Sequence, residues 1–359
     1  MKKNIALIII ISVLLACIFP GCKSPEKETE LVGVLMPTKS LQRWNQDGDN
    51  IKMMLEESGY KVELNYADND VAQQLNQFLD LFERGAKIII IAAVDGSALS
   101  TQLKDINHDD VAIIAYDRML LDTDAVDYYT SFDSEYIGRL QAQYIVDALS
   151  LDEAGKGPYN LEVYAGSPDD NNSRLLNKGA MDILLPYIES GSLIVKSGLG
   201  TTHDDWMEIG IMEWAALDAQ SRMETLLKNY YADEPVDAVL SPNDSLAAGI
   251  IAALEKDGYG TDEKPYPVVT GQDCDLLNVK YIMEGKQSMS VFKDTRVLAQ
   301  VTADIVDAII TGSEIPINAM CTNNYKDVPS YLVDATLTDR QNYVQVLLDS
   351  GYYTADQLK

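Results

Sequence analysis

The sequence is poor in cysteine, histidine and basic residues, and each shortage removes a class of function. Four cysteines and two histidines in 359 residues leave no cluster with metal-ligand spacing, so no metal and no other cofactor is expected. Two of the cysteines, Cys17 and Cys22, fall in the N-terminal leader. The other two, Cys274 and Cys321, are far apart with nothing to bring them within bridging distance, and are read as free thiols. His108 and His203 lie in acidic, turn-like stretches and are read as solvated loop residues. Twenty-eight lysines and arginines face 56 acids, a net charge of −28. No basic patch interrupts that field, which excludes nucleic acid as a partner. Neither a G-x-G-x-x-G nor a P-loop is present, and no serine sits in a G-x-S-x-G setting. Asp68-Asn69-Asp70 lacks the remaining ligands of a calcium loop and is read as a helix cap.

Long apolar runs are missing too. The run Ile5 to Ala16 follows the basic start Met1-Lys2-Lys3-Asn4 and is too short to span a bilayer. It leads into Leu14-Leu15-Ala16-Cys17 and Phe19-Pro20-Gly21-Cys22, both of which resemble the lipobox at which a bacterial signal peptide is cut. Cys22 is favoured, because the chain after it is a polar tether while the chain after Cys17 stays apolar. Residues 1–22 are therefore expected to be a signal peptide and 23–30 a tether, with a lipid on Cys22 holding the protein to the outer face of the cell membrane. Removing the leader takes away two lysines and no acid, leaving a mature charge of −30.

What the sequence does contain is a sustained alternation of short apolar strands and amphipathic helices. Leu31–Met36, Lys61–Tyr66, Lys87–Ala93, Val111–Tyr116 and Tyr128–Phe132 read as strands. Between them lie helices ending near Gly59, from Asp70 to Gly85 on Val71, Leu75, Phe78, Leu79 and Phe82, and from Ser97 to Asn107. The alternation restarts with helices over Ser134–Ser150, Asn171–Ser190, Trp206–Tyr230, Asp244–Lys256 and one ending at Gly285. The strands of this set are Leu161–Gly166, Leu193–Lys196, Val236–Leu240, Pro267–Thr270 and Ser288–Phe292. A helix over Thr295–Thr311 with Val297, Val301, Ile305 and Ala308 on one face, a strand at Val328–Val333 and a helix from Asp339 to Gly351 close the chain. Two such sets in 359 residues predict an α/β protein of two similar doubly wound lobes.

Polar residues gather where the strands end, the position at which open α/β sheets hold ligands. Arg43-Trp44 follows the first strand, Asp117-Arg118 the fourth, and Asp169-Asp170-Asn171-Asn172 the Leu161 strand. Asn243-Asp244, Gln272-Asp273 and Lys293-Asp294 follow three more. Any one of these is equally a helix cap or a surface salt bridge. Together they describe a cleft of planar polar groups with indoles for an apolar ring face, which is what a monosaccharide requires.

These residues resemble the type I periplasmic sugar-binding proteins, and within them the xylose-binding and multiple-monosaccharide-binding group. The resemblance rests on Met36-Pro37-Thr38-Lys39-Ser40 with Arg43-Trp44, on Ala115-Tyr116-Asp117-Arg118 and on Gly166-Ser167-Pro168-Asp169-Asp170-Asn171-Asn172. Gly271-Gln272-Asp273, Phe292-Lys293-Asp294-Thr295 and Asp327-Val328-Pro329-Ser330-Tyr331 complete it. It implies that Arg43, Asp117, Arg118, Asp170, Asn172, Asn243, Asp273 and Lys293 hydrogen-bond a sugar that Trp44 and Trp214 sandwich. The Thr201–Glu213 region departs from the xylose-binding pattern in length, which bears on which sugar is held. The fold so implied has lobes over 31–132 with 293–327 and over 133–292 with 328–359, with chain crossings near Phe132, Phe292 and Val328 forming a three-strand hinge.

The function implied is a monomeric, lipid-anchored binding protein that hands an aldose to an ABC permease. An alternative is a sensing subunit that docks on a membrane chemoreceptor or sensor kinase. A glycoside-processing enzyme is disfavoured: no catalytic pair of carboxylates stands out, and an Asp opposed by Arg is tuned to stay ionised. A transcriptional regulator is disfavoured by the export signal.

Overall fold

The computed structural model describes residues 29–103 and 110–359, so Cys17, Cys22 and His108 lie outside the described residues. Two aliphatic runs seed the first sheet. All of β1 (Leu31–Met36) is buried, and it is followed by α1 (Gln42–Glu57), β2 (Lys61–Tyr66) and α2 (Val71–Glu83). Then come β3 (Ile88–Ile91), also wholly buried, α3 (Gly96–Leu103), β4 (Ala112–Tyr116) and β5 (Tyr128–Phe132). Their order is β2-β1-β3-β4-β5, all parallel. Val32, Val34, Ile88 and Ile90 enter one apolar cluster, whereas Leu31, Leu35, Ile89 and Ile91 enter the other. A sheet covered on both faces needs this unbroken apolar sequence. Strand order reverses between β1 and β3, which opens a crevice at their C-terminal ends.

The second lobe repeats the scheme. It contains α4 (Ser134–Ala148), β6 (Tyr159–Val163), α5 (Asn171–Glu189), β7 (Leu193–Ile194), α6 (Ala216–Tyr230) and β8 (Ala238–Leu240). After these come α7 (Asp244–Lys256), β9 (Val268–Val269), α8 (Leu276–Glu284) and β10 (Met289–Phe292). The parallel order is β7-β6-β8-β9, with β10 joined through a bridge between Gln272 and Val291. Helices α4 and α5 touch backbone to backbone. A Cβ on Gly138 would lie 2.0 Å from the Leu176 carbonyl oxygen, so only glycine permits the approach. That contact brings the two N-termini together, and Ser134 Oγ donates to Asn172 Oδ1 at 3.1 Å.

The chain then returns to the first lobe. Helix α9 (Thr295–Thr311) packs on α1, and Thr302 Oγ1 lies 2.9 Å from Thr130 Oγ1 on β5. Strand β11 (Ala319–Thr322) pairs antiparallel with β12 (Asp327–Val333), which adds in parallel to β5, so the sheet reads β11-β12-β5-β4-β3-β1-β2. Strand β13 (Thr336–Asp339) finally pairs antiparallel with β10.

Several expected elements differ. Helix α6 starts at Ala216 rather than Trp206, because Glu213 and Trp214 both have a φ of 56°, which no α-helix accommodates; two short 3-10 turns, His203–Met207 and Met212–Trp214, precede it. The tail expected as a helix from Asp339 to Gly351 forms a π-helix at Val344–Asp349, and β13, which was not expected, ends at Asp339. Strand β11 was not expected; it is a half-exposed edge strand with little apolar signal. The expected crossing near Val328 falls inside β12, which stays paired to β5 up to Val333. Ile305 and Ala308 of α9 are buried as expected, but Val297 is 44% exposed, and Leu298 and Thr302 complete the buried face. In α2 the buried face is centred on Gln74, Phe78 and Leu81. Gln74 is inward because its amide donates to Ala92 O at 2.9 Å and accepts from Val94 N at 2.8 Å, finishing the end of β3. Cys274 and Cys321 are both free. His203 is largely exposed, with Nε2 2.8 Å from Asp182 Oδ1.

Candidate functional site

The strand ends of both lobes meet around one cavity. Arg43, Trp44, Asp117, Arg118, Asp170, Asn172, Trp214, Asn243, Asp273 and Lys293 all line it, together with Leu41, Ser134, Leu176 and Gln272. Arg43 and Trp44 come from the first turn of α1, and Asp117 and Arg118 from the turn after β4. Asp170 caps α5 by accepting from Asn172 N at 2.9 Å, and Asn243 caps α7 by accepting from Leu246 N at 3.0 Å. The helix-capping reading and the cavity-lining reading of these two residues are thus both met by one geometry.

Charge is arranged as a buried network. Arg43 Nη1 donates to Asp117 Oδ2 at 2.9 Å and lies 3.7 Å from Asp273 Oδ1, while Lys293 Nζ is 3.0 Å from Asp273 Oδ1 and 3.7 Å from Asp117 Oδ2. Arg118 Nε stands 3.0 Å from Asp170 Oδ2, and its Nη1 donates to the carbonyls of Ala93 and Val94. Burial pushes the Asp117 carboxyl up, but Arg43, Lys293 and Arg118 outweigh it and hold the group below its usual range. Burial also opposes the Arg43 charge, yet Asp117, Asp47 and Asp273 keep its pKa well above the ordinary value. At Asp170 burial prevails over Arg118, and nearby Asp117 adds to it, so its pKa is raised.

Three cavity residues have left-handed backbones without being glycine: Asp117 at φ 57°, Trp214 at φ 56° and Asp273 at φ 98°. Each such conformation costs on the order of 1–3 kcal/mol and must be held by its surroundings. The Asp117 carbonyl is held by three donors: Tyr129 Oη at 2.8 Å, Ser131 Oγ at 3.1 Å and Asn172 Nδ2 at 3.0 Å. Trp214 is held by Ser245 Oγ, which donates to its carbonyl at 2.9 Å, and its ring lies on Gly166. A Cβ on Gly166 would come within 2.0 Å of the indole. Trp44 lies with its ring centroid 4.3 Å from the Arg43 guanidinium carbon and 5.3 Å from that of Arg118.

Four buried polar atoms of the cavity residues have no aligned hydrogen-bond partner among the described residues: Trp44 Nε1, Trp214 Nε1, Arg118 Nε and Asp273 Oδ1. For Arg118 Nε and Asp273 Oδ1 the contacts at 3.0 Å are ion pairs out of hydrogen-bond alignment. Buried polar groups are rarely left so, and three donors with one acceptor at a single cavity call for a ligand of mixed donors and acceptors.

Sequence reasoning missed the supports of this site. Asp47 is fully buried and accepts from Arg43 Nε and Nη2 at 3.0 and 2.8 Å and from Tyr116 Oη, with burial raising its own pKa. Its spacing of four from Arg43 on a helix was the available signal. Leu41, Ser134, Leu176 and Ser245 gave none, because each acquires its role from a segment distant in sequence.

Residues 32–314 match the family model described as periplasmic binding protein domain. The chain is 46% identical over 330 residues to the multiple sugar-binding periplasmic receptor ChvE of Rhizobium radiobacter, covering 91% of this chain and 92% of that one. It is 31% identical to the D-xylose-binding periplasmic protein of Escherichia coli K12, covering 99% of each. Among solved structures, an ABC transporter solute binding protein from Clostridium phytofermentans with bound β-D-glucose superposes with a TM-score of 0.86 at 46% identity, covering 92% of this chain and all of that one. With its two doubly wound lobes and a cavity built from the strand ends of both, the chain belongs to the periplasmic binding proteins, a family of non-enzymatic receptors.

Proposed function

We propose that this protein encloses one neutral monosaccharide, an aldose such as glucose, xylose, galactose or arabinose, and delivers it to an ABC permease by closure of the two lobes. Arg43, Asp117, Arg118, Asp170, Asn172, Asn243, Asp273 and Lys293 hold the hydroxyls, and Trp44 and Trp214 meet the ring faces. The observation that carries this reading is the convergence of these ten residues, drawn from both lobes, on one cavity. A ligand touching both lobes favours the closed form through its differential contacts. The relatives named for multiple sugars and xylose, and the solved relative with bound β-D-glucose, support the same class of ligand.

The charge balance narrows the class. Asp117, Asp170 and Asp273 already face Arg43, Arg118 and Lys293, and Asp47 adds a further acid behind Arg43. No base is left for a sugar carboxylate, and burying an unpaired charge costs several kcal/mol. Calorimetric titration is therefore expected to give glucose an affinity about tenfold or more above glucuronate, about 1.4 kcal/mol. Equal or tighter glucuronate binding would overturn the assignment of the three bases.

The basic-apolar leader and polar tether support lipid attachment at Cys22 outside the cytoplasm. Mass spectrometry of the mature N-terminus tests it, and cleavage elsewhere with no lipid refutes it. A sensing role through a membrane chemoreceptor or kinase would use the same cavity; the relative named a receptor supports it. Neighbouring genes for a permease and ATPase, against those for a kinase and regulator, separate the two roles.

A further inference from the structure

Outside the cavity, two strained turns meet across the cleft. On the first lobe Asp68 and Asn69 have φ of 51° and 61°, and on the second Glu213 and Trp214 both have φ of 56°. Asn69 Nδ2 donates to Glu213 Oε2 at 3.0 Å. Neither residue lines the cavity. Both turns are anchored from behind. Asn69 N donates to Pro37 O at 2.8 Å, just past the end of β1, and Asp70 caps α2. Glu213 N donates to Ser167 Oγ at 2.8 Å, just past the end of β6, and Trp214 is fixed by Ser245. The bond therefore ties the C-terminal ends of β1 and β6, each next to the edge strand of its sheet, across the mouth of the site. Its second-lobe partner is the residue next to Trp214.

We propose that the Asn69–Glu213 hydrogen bond is a latch that sets how long the sugar stays bound. It rests on the reading of the cavity as a sugar site that closes by lobe movement. The bond forms only when the lobes meet, so it stabilises the closed state without touching the ligand. By pinning Glu213 it also holds Trp214 in its left-handed conformation against the ring. Asn69 and Glu213 are thus positioning residues, and the Asp68-Asn69-Asp70 stretch that failed as a calcium loop acquires a use. Such a latch alters escape more than capture, because association proceeds from open lobes in which the bond is absent.

The test is stopped-flow tryptophan fluorescence with glucose. Asn69→Gly removes the amide and keeps the left-handed backbone, so the dissociation rate should rise about three- to tenfold while the association rate stays within about twofold. Asn69→Asp sets two carboxylates against each other and should raise the dissociation rate further. Adding Glu213→Gln to Asn69→Asp reverses donor and acceptor, and should return the rate to within about threefold of the wild type. Melting of the ligand-free protein should be the same for all variants to within about 2 °C. An unchanged dissociation rate in Asn69→Gly, or no recovery in the double variant, overturns the latch alone. A wild-type protein that binds no neutral aldose overturns the sugar reading and the latch with it.

Discussion

Replacing Arg118 with alanine separates two jobs that one side chain performs. Its Nη1 donates to the carbonyls of Ala93 and Val94 at 3.1 and 3.2 Å, inside the first lobe. Its Nε stands 3.0 Å from Asp170 of the second lobe, in contact only when the lobes are closed. Asp170 has no other ion-pair partner among the described residues, and only 4% of its side chain is exposed. Removing one member of a buried pair costs about 3–5 kcal/mol. Water entering the space left by the side chain trims that figure, although burial, which raises the Asp170 pKa, keeps the stranded carboxylate costly. Arg118→Ala should therefore weaken glucose binding by about 2–4 kcal/mol, roughly thirty- to several-hundredfold. The lost carbonyl bonds act on the ligand-free protein as well, at about 1 kcal/mol, which lowers its Tm by about 2–4 °C. Calorimetry with glucose and a melting curve without it read the two effects apart. Adding Asp170→Asn to the alanine variant removes the stranded carboxylate and should recover part of the affinity. Glucose affinity within threefold of the wild type, or no relief from the second substitution, would refute the reasoning.

Two further outcomes follow from the same geometry. Gly166→Ala places a methyl group 2.0 Å from the Trp214 ring, so glucose affinity should fall by about tenfold or more in calorimetry while the far-ultraviolet dichroism is unchanged. Asp275 is pushed up to about 7, first by burial and then by Asp273, and its Oδ1 has no hydrogen-bond partner among the described residues. The folded state thus holds a proton there that the unfolded chain releases near pH 4, and stability falls as pH rises from about 4 towards 7. Asp275→Asn should raise Tm by clearly more at pH 7.5 than at pH 5; an equal gain at both would refute the assignment.

Elements whose own sequence decides them were legible. The isoleucines of β3 and the caps Asp70, Asp170 and Asn243 read directly, and α7 and α9 match their expected bounds. The ten cavity residues were legible as strand-end polar groups and through the family resemblance, and they do gather at one place. What could not be read depends on long-range partners. The left-handed turn at Glu213-Trp214 exists because Ser167 and Ser245 hold it, and nothing local distinguishes those residues from a helix start. Strands β11 and β13 are edge strands that gain order by pairing with β12 and β10. Gln74 reads as an exposed helix residue until the free ends of Ala92 and Val94 are known.

The pairing of β12 with β5 has a consequence for biogenesis. Ser330 to Val333 align with Tyr129 to Phe132, so the first lobe receives an interior strand of its sheet almost at the end of the chain. A polypeptide emerging N-terminus first therefore makes residues 134–292 before it can finish the first lobe, and β13 and the tail, which pack on β10 and Cys274, finish the second lobe later still. Until β12 arrives, β5 presents an open edge, and pairings of such sequence separation form slowly. The segment from Asp327 to Val333 is thus the one whose loss leaves β5 as an open, sticky edge in the first lobe.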